Sequence, residues 1–282
     1  MTLAGLMFTV MLGTVVVARR ELSSLDVLAW RGLTSLPLAY LLARGAGLRL
    51  AHTRLFAVRA VLGFAAMFGF YQAARGLALT DLSLIHKLQP MLVAALAPLV
   101  LGRGERVDAR VWLLIAVGLA GTAILLAPDL AVGSTYGLWA AGAAACSAGA
   151  HLSVRGLGRT DHPGAIVFWF HAAIGALAVA SIGVTRGELL PLPPAHLWPY
   201  LVGCGVTALA GQLLMTHAYR IDRAAVVAGA AYSSPVWAVL GDLLVFAVLP
   251  AWNVYLGGAL VIAAGIALIV SRDLPPAIRE EA

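Results

Sequence analysis

Residues 164–185 read GAIVFWFHAAIGALAVASIGVT, a run with no Asp, Glu, Lys or Arg. At about 1.5 Å of rise per residue, a helix of this length reaches across the roughly 30 Å hydrocarbon core of a bilayer. Cutting the rest of the chain at charges, prolines and glycines gives nine more such runs: 2–18, 26–43, 55–75, 81–101, 110–127, 134–155, 197–219, 223–246 and 252–270. Connections are short, and the longest surrounds Pro191, Pro193 and Pro194. The pattern predicts an all-α membrane protein of ten transmembrane helices, with too little chain outside them for a soluble catalytic domain.

Composition agrees. Of 282 residues, 61% are hydrophobic and 11% charged, and the mean hydropathy is +0.93. A soluble domain carries roughly a quarter of its residues as charges, so lipid is the expected solvent for much of this surface. The pI near 9.8 raises nucleic acid as a partner. The basic residues lie in ones to threes between apolar runs instead of forming one patch, so none is expected. Cys146 and Cys204 stand alone within apolar segments. They read as packing residues, and neither a metal site nor a cofactor is expected. Residues 1–18 are uncharged and Arg19 and Arg20 follow them. A signal peptide has the reverse order, so the first run is read as a retained helix.

Basic residues mark the cytoplasmic side. With the amino terminus inside, the inner loops and tail hold twelve arginines: Arg44, Arg49, Arg54, Arg103, Arg106, Arg110, Arg155, Arg159, Arg220, Arg223, Arg272 and Arg279. The outer loops hold four: Arg19, Arg20, Arg75 and Arg186. Both termini are therefore expected in the cytoplasm. An internal repeat is also visible. Shifted by 145 residues, Tyr71-Gln-Ala-Ala-Arg75 falls on Thr216-His-Ala-Tyr-Arg220 and Pro90 on Pro235; after a one-residue slip, Gly121 falls on Gly265. Five helices per copy is an odd number, so the second copy enters from the opposite side. The expectation is two inverted five-helix repeats, 1–129 and 130–282, with a solute site near midplane where they meet.

The order of motifs resembles the drug/metabolite transporter superfamily, in particular carriers built of two EamA-type repeats. The resemblance rests on Leu25-Asp-Val-Leu-Ala-Trp-Arg31, Arg59-Ala-Val-Leu-Gly63, Tyr71-Gln-Ala-Ala-Arg75, His86-Lys-Leu-Gln-Pro90, Gly102-Arg-Gly-Glu-Arg106, Ala218-Tyr-Arg220 and Tyr232-Ser-Ser-Pro-Val-Trp237, spread over nearly the whole chain. It implies a central cavity lined mainly by helices 3, 4, 8 and 9, with contributions from 1, 2, 6 and 7. It names no substrate. The acid usual after helix 4 is Glu105, whereas Val248 stands at the equivalent place after helix 9. An anchor between that loop and a basic partner is then expected in the first half alone.

Lys87 lies six positions into helix 4, about 9 Å below the surface. Its stem is long enough to snorkel. Ser83, Lys87, Pro90 and Ala94, however, share one face, which suits a cavity better than lipid. The 145-residue shift carries Lys87 onto Tyr232, and pseudo-symmetry places the two across a central cavity, both touching substrate. Arg31, about 7 Å deep in helix 2, is the next candidate, with Asp26 as a structural partner of poor helical spacing. Tyr71 and Arg75 on helix 3 and His217 on helix 8 complete the candidate substrate-binding set, with no catalytic residue among them. Pro90 and Pro235 are read as symmetric kinks that gate. Gly137, Ala141, Ala145, Gly149 and Ser153 form an every-fourth-residue packing ridge on helix 6.

The leading reading is a secondary transporter that moves a small organic metabolite, carboxylate-bearing or amino-acid-like, across a bacterial inner membrane by alternating access. No phosphate-binding loop for ATP occurs. The alternatives are a membrane-embedded enzyme and a non-transporting receptor or assembly subunit. Neither the solute nor the oligomeric state is legible.

Overall fold

The computed structural model describes residues 1–45, 47–73, 85–105, 107–126, 135–233, 236–237 and 252–272. It is all-helical over that range. The helices are α1 (Thr2–Ala18), α2 (Ser24–Ala43), α3 (Thr53–Ala73), α4 (Gln89–Val100), α5 (Ala109–Leu126), α6 (Thr135–Leu157), α7 (Pro163–Arg186), α8 (Trp198–Ile221), α9 (Ala224–Gly229) and α10 (Trp252–Arg272). Short 3-10 turns occupy Arg103–Glu105, Ala195–Leu197 and Ala230–Ser233. Three segments, Thr53–Ala73, Pro163–Arg186 and Ala195–Ile221, are long and apolar enough by length and composition to cross a membrane. Others fall short for local reasons: α1 has 17 residues, and α2 carries Asp26 and Arg31. Large apolar side chains nonetheless cover the outside of the bundle, among them Leu41, Val61, Leu99, Leu113, Leu138 and Ile266.

Local chemistry sets the helix ends. Ser23 caps α2 by accepting from the Asp26 N–H, and the Asp26 carboxylate accepts in return from the Ser23 N–H, a reciprocal arrangement that satisfies two donors left over at a helix start. Gly187 ends α7 in the left-handed region, φ 67°, which only glycine adopts freely. Pro90 differs from expectation. The chain turns at Lys87 and Leu88, and Pro90 sits in the first turn of α4. There its missing N–H breaks no intrahelical bond, so it opens a helix instead of kinking one. Pro235 lies outside the described residues, as do Arg75, Ser83 and Val248.

The most extensive helix contacts are α3 with α6, α2 with α7, α5 with α10 and α1 with α8. Exchanging each helix for the one five places away returns the same set of pairs. These pairs run antiparallel. Gly156 near the end of α6 meets Leu55 at the start of α3, and Gly69 near the end of α3 meets Ala143 in α6. Gly211 and Gly203 of α8 meet Phe8 and Thr14 of α1. In α2 and α7 the backbones touch where Gly32 faces Gly175, an approach that a Cβ at Gly32 would block. The predicted ridge on α6 does not form as a straight line. Every fourth residue drifts by about 40° around a 3.6-residue helix. Ala141 and Ala145 are exposed, while Ala140, Ala143, Ala144, Ser147 and Ala148 are buried.

Polar residues tie the two ends of the bundle. At one end Arg186 Nη1 donates to Asp26 at 2.9 Å, Trp30 Nε1 donates to the Pro191 carbonyl at 3.1 Å, and His196 meets Glu21 at 2.8 Å. At the other, Glu105 accepts from Arg155 Nε at 2.8 Å, from Arg159 Nη2 at 3.3 Å and from the Ala224 N–H at 2.9 Å. Arg155 also donates to the Tyr219 and Arg220 carbonyls. Burial alone would raise the Glu105 carboxyl, but the Ala224 N–H and the Arg155 guanidinium outweigh it and hold the group below its ordinary value.

Candidate functional site

Between the helices lies a cavity of about 270 Å³, lined by α1, α2, α3, the turn before α4 and its first residue, α6, α8 and the 3-10 turn after α9. Its charged side chains are Arg31, Arg59 and Lys87, and no aspartate or glutamate is among the described lining residues. Arg31 and Arg59, both buried and with no carboxylate paired to them among the described residues, leave a positive potential that water would have screened.

Each cation is positioned by a different helix. Arg31 of α2 is 3% exposed, and its Nη1 approaches Met67 Sδ at 3.1 Å. Asp26 is not its partner. That carboxylate faces the end of the bundle and pairs with Arg186, 160 residues away in sequence. Arg59 of α3 is equally buried. It donates from Nη2 to Gln212 Oε1 at 3.0 Å, and its guanidinium lies 3.8 Å from the Phe170 ring centroid, a cation–π contact. The absent side chain of Gly63 makes room for it: a Cβ there would strike Phe170 and Arg59. The Nε atoms of both arginines are buried without a hydrogen-bond partner, and within the described residues neither guanidinium pairs with a carboxylate.

Lys87 stands in the turn between Ile85-His86 and α4. Its ammonium donates to the Ala231 carbonyl at 2.9 Å, while the Tyr232 hydroxyl donates to the Lys87 carbonyl at 3.0 Å. Two interrupted helices thus meet and satisfy each other's loose carbonyls, as irregular backbone inside a bundle must. Lys87 lines the cavity. The Tyr232 side chain is turned away from it and packs on Gly118, Ala225 and Val261. The pair predicted to stand across the cavity is instead in direct contact.

Tyr71 lines the cavity beside Arg31. His217 does not. It is exposed on α8, about 200° around the helix from the lining residue Met215 at 100° per residue. Residues outside the candidate substrate-binding set also form the wall: Gln212, Gln89, His86 and His151. Gln89 hydrogen-bonds His151, and His86 stacks edge-on against Phe70 at 5.3 Å. Arg59 carried a usable signal. It lies six residues into α3, about 9 Å by helical rise, as deep as Lys87 was expected to lie.

No family model matches the chain. The pseudopaline exporter CntI of Pseudomonas aeruginosa, from two strains, is 28% identical over 269 residues, covering 94% of this chain and 93% of the exporter. A protein solved by crystallography superposes with a TM-score of 0.76 at 21% identity, over 96% of this chain and 97% of its own. The first is a similarity of sequence along nearly the entire length, and the second a likeness of fold.

Proposed function

We propose that this chain is a secondary carrier of a bacterial inner membrane, moving a small organic metabolite with a negative group by alternating access. The observation that carries the reading is the central cavity. Helices from both halves of the chain wall it, and the charged side chains of its described lining are Arg31, Arg59 and Lys87. The helix pairing, unchanged under a five-helix exchange and antiparallel within pairs, supports two inverted EamA-type repeats, 1–129 and 130–282, with both termini in the cytoplasm. The facing breaks at Lys87–Leu88 and Ala230–Ser233 are of the kind that carriers use to build solute sites from discontinuous helices. Similarity to an exporter over 94% of the chain supports outward movement.

In this mechanism the solute enters from one side and its negative group meets Arg31 and Arg59. The halves then rock about the α2–α7 contact, and the cavity opens on the opposite side. The Glu105 cluster holds one end shut and must part when that end opens. Proteoliposomes loaded with a cell metabolite extract test the reading. The expected result is saturable, protein-dependent loss of an unaltered acidic solute, read by mass spectrometry. Chemical conversion of a solute without its movement would overturn the proposal in favour of an enzyme.

A further inference from the structure

We infer that the solute of the central cavity is an amphipathic acid, an acidic group joined to an apolar or aromatic body. This rests on the carrier reading and names the substrate class of the same site. The acidic end is set by what the protein leaves unmet. Arg31 and Arg59 are each 3% exposed and line the cavity, and each buries an Nε atom without a hydrogen-bond partner. Arg31 Nη1 donates to the Met67 sulfur at 3.1 Å, a weak acceptor that a carboxylate oxygen readily replaces. Other polar lining groups are engaged within the protein: Gln212 with Arg59, Gln89 with His151, and Lys87 with the Ala231 carbonyl. Hydroxyls or amides elsewhere on a solute would give up water to meet partners already in use, which is costly.

The body is read from the rest of the wall. Four of the chain's six methionines, Met1, Met11, Met67 and Met215, line the cavity, with Phe8 and Phe70 beside them. The described lining holds one leucine and neither valine nor isoleucine, in a chain rich in leucine and valine. Packing alone would draw on the same residues as the rest of the bundle, so the composition of this wall is particular to the cavity. A thioether is polarizable, its side chain turns about three bonds, and its sulfur makes favourable contacts with aromatic rings. The wall begins at the arginines. Met67 touches Arg31, Met215 stands one turn beyond the Gln212 that holds Arg59, and Phe8 packs on α8 at Gly211, the neighbour of Gln212. Charge and apolar surface therefore adjoin, and a molecule sized for about 270 Å³ meets both. Flexible methionine surfaces repack around bodies of differing outline, so the site ranks acids by apolar surface more than by shape.

The test uses purified full-length protein in lipid nanodiscs, with empty nanodiscs as the blank for partitioning into lipid. Its probes are 3-phenylpropionate, the neutral amide of that acid, and glycolate, a polar acid of the same charge. Binding is read by calorimetry and thermal shift. Burying a ring the size of a phenylalanine side chain raises affinity about tenfold or more, so 3-phenylpropionate should bind at least tenfold tighter than glycolate, and at least tenfold tighter than its amide. Met11→Gln, close in size but polar, should cut the preference for 3-phenylpropionate over glycolate at least threefold, and Met67→Gln serves where the first variant does not fold. Gln212→Glu offers Arg59 a carboxylate from within the protein. It should abolish acid binding while the melting temperature stays at or above that of wild type. Equal affinity for the two acids, a preference unchanged in both methionine variants, or acid binding retained by Gln212→Glu overturns the inference. Saturable transport of a polar acid, with no preference for an apolar body, would overturn it and leave the carrier reading standing. The expected preference, with no protein-dependent movement of either acid in proteoliposomes, would overturn the carrier reading and leave the ligand class standing.

Discussion

Glu105→Gln should loosen the junction that joins the α4–α5 turn to the end of α6 and the α8–α9 turn. In the native protein the carboxylate is 2% exposed and accepts three charge-assisted or backbone hydrogen bonds. Arg159 is half exposed, so its share is about zero to 1 kcal/mol. The bonds from Arg155 and the Ala224 N–H are shielded, and hydrogen bonds to charged groups contribute about 1.5–3 kcal/mol each. Glutamine keeps an amide oxygen for Ala224 but leaves Arg155 Nε without its charged acceptor, so the net loss is about 2–3 kcal/mol. At about 2 °C per kcal/mol for a chain of this size, the melting temperature in detergent micelles falls by about 4–6 °C. A pH series adds a second reading. Because the native carboxyl lies below its ordinary 4.5, its stabilisation is complete above the unfolded-state value and disappears as pH drops through the native one. Wild type should therefore begin to lose its advantage over Glu105→Gln as pH falls below about 4.5. A variant melting within 1 °C of wild type at pH 7, or a gap unchanged down to pH 3, refutes the reasoning.

Lys87→Met should raise the half-saturation concentration for transport at least tenfold, whereas Tyr232→Phe, which loses one hydrogen bond to backbone, should lower stability by about 1 kcal/mol; both are read in proteoliposomes and by melting. Gly32→Val drives a side chain into the Gly175 backbone and should cost about 1–3 kcal/mol. Gly13→Val, with nothing within 4 Å of its added carbon, should leave the melting curve in place. His217→Ala, on the outer face of α8, should keep wild-type affinity and rate.

Hydropathy made the ten helices legible because the cost of burying charge in lipid is large and local. Several described helix ends differ from the sequence cuts by a few residues, as at α3, read as 55–75 and observed as Thr53–Ala73. But α4, read as 81–101, begins only at Gln89, and α9, read as 223–246, gives way to a 3-10 turn at Ala230. The 145-residue repeat related Lys87 to Tyr232 but set them across the cavity, whereas the structure puts them in contact. The rest was hidden for a common reason. When both the core and the surroundings of a helix are apolar, amphipathic periodicity no longer tells the inward face from the outward one. Arg59, Gln212, Gln89 and His151 thus gave no face signal, and His217 gave a false one. The partner of Asp26 could not be read because Arg186 arrives from another helix. Pro90 was read as a kink because the turn at Lys87–Leu88, which makes it a helix opener, has no breaker residue of its own.

Ser147 faces the cavity from α6. A single cysteine at that position, with Cys146→Ser and Cys204→Ala removing the native thiols, reports which side of the membrane the cavity opens to. Membrane-impermeant maleimide is applied to either face of oriented vesicles, with and without solute. The alternating cavity proposed above should label from both faces, and solute should change the two rates in opposite directions. Labelling from one face alone, unchanged by any solute that binds, would contradict it.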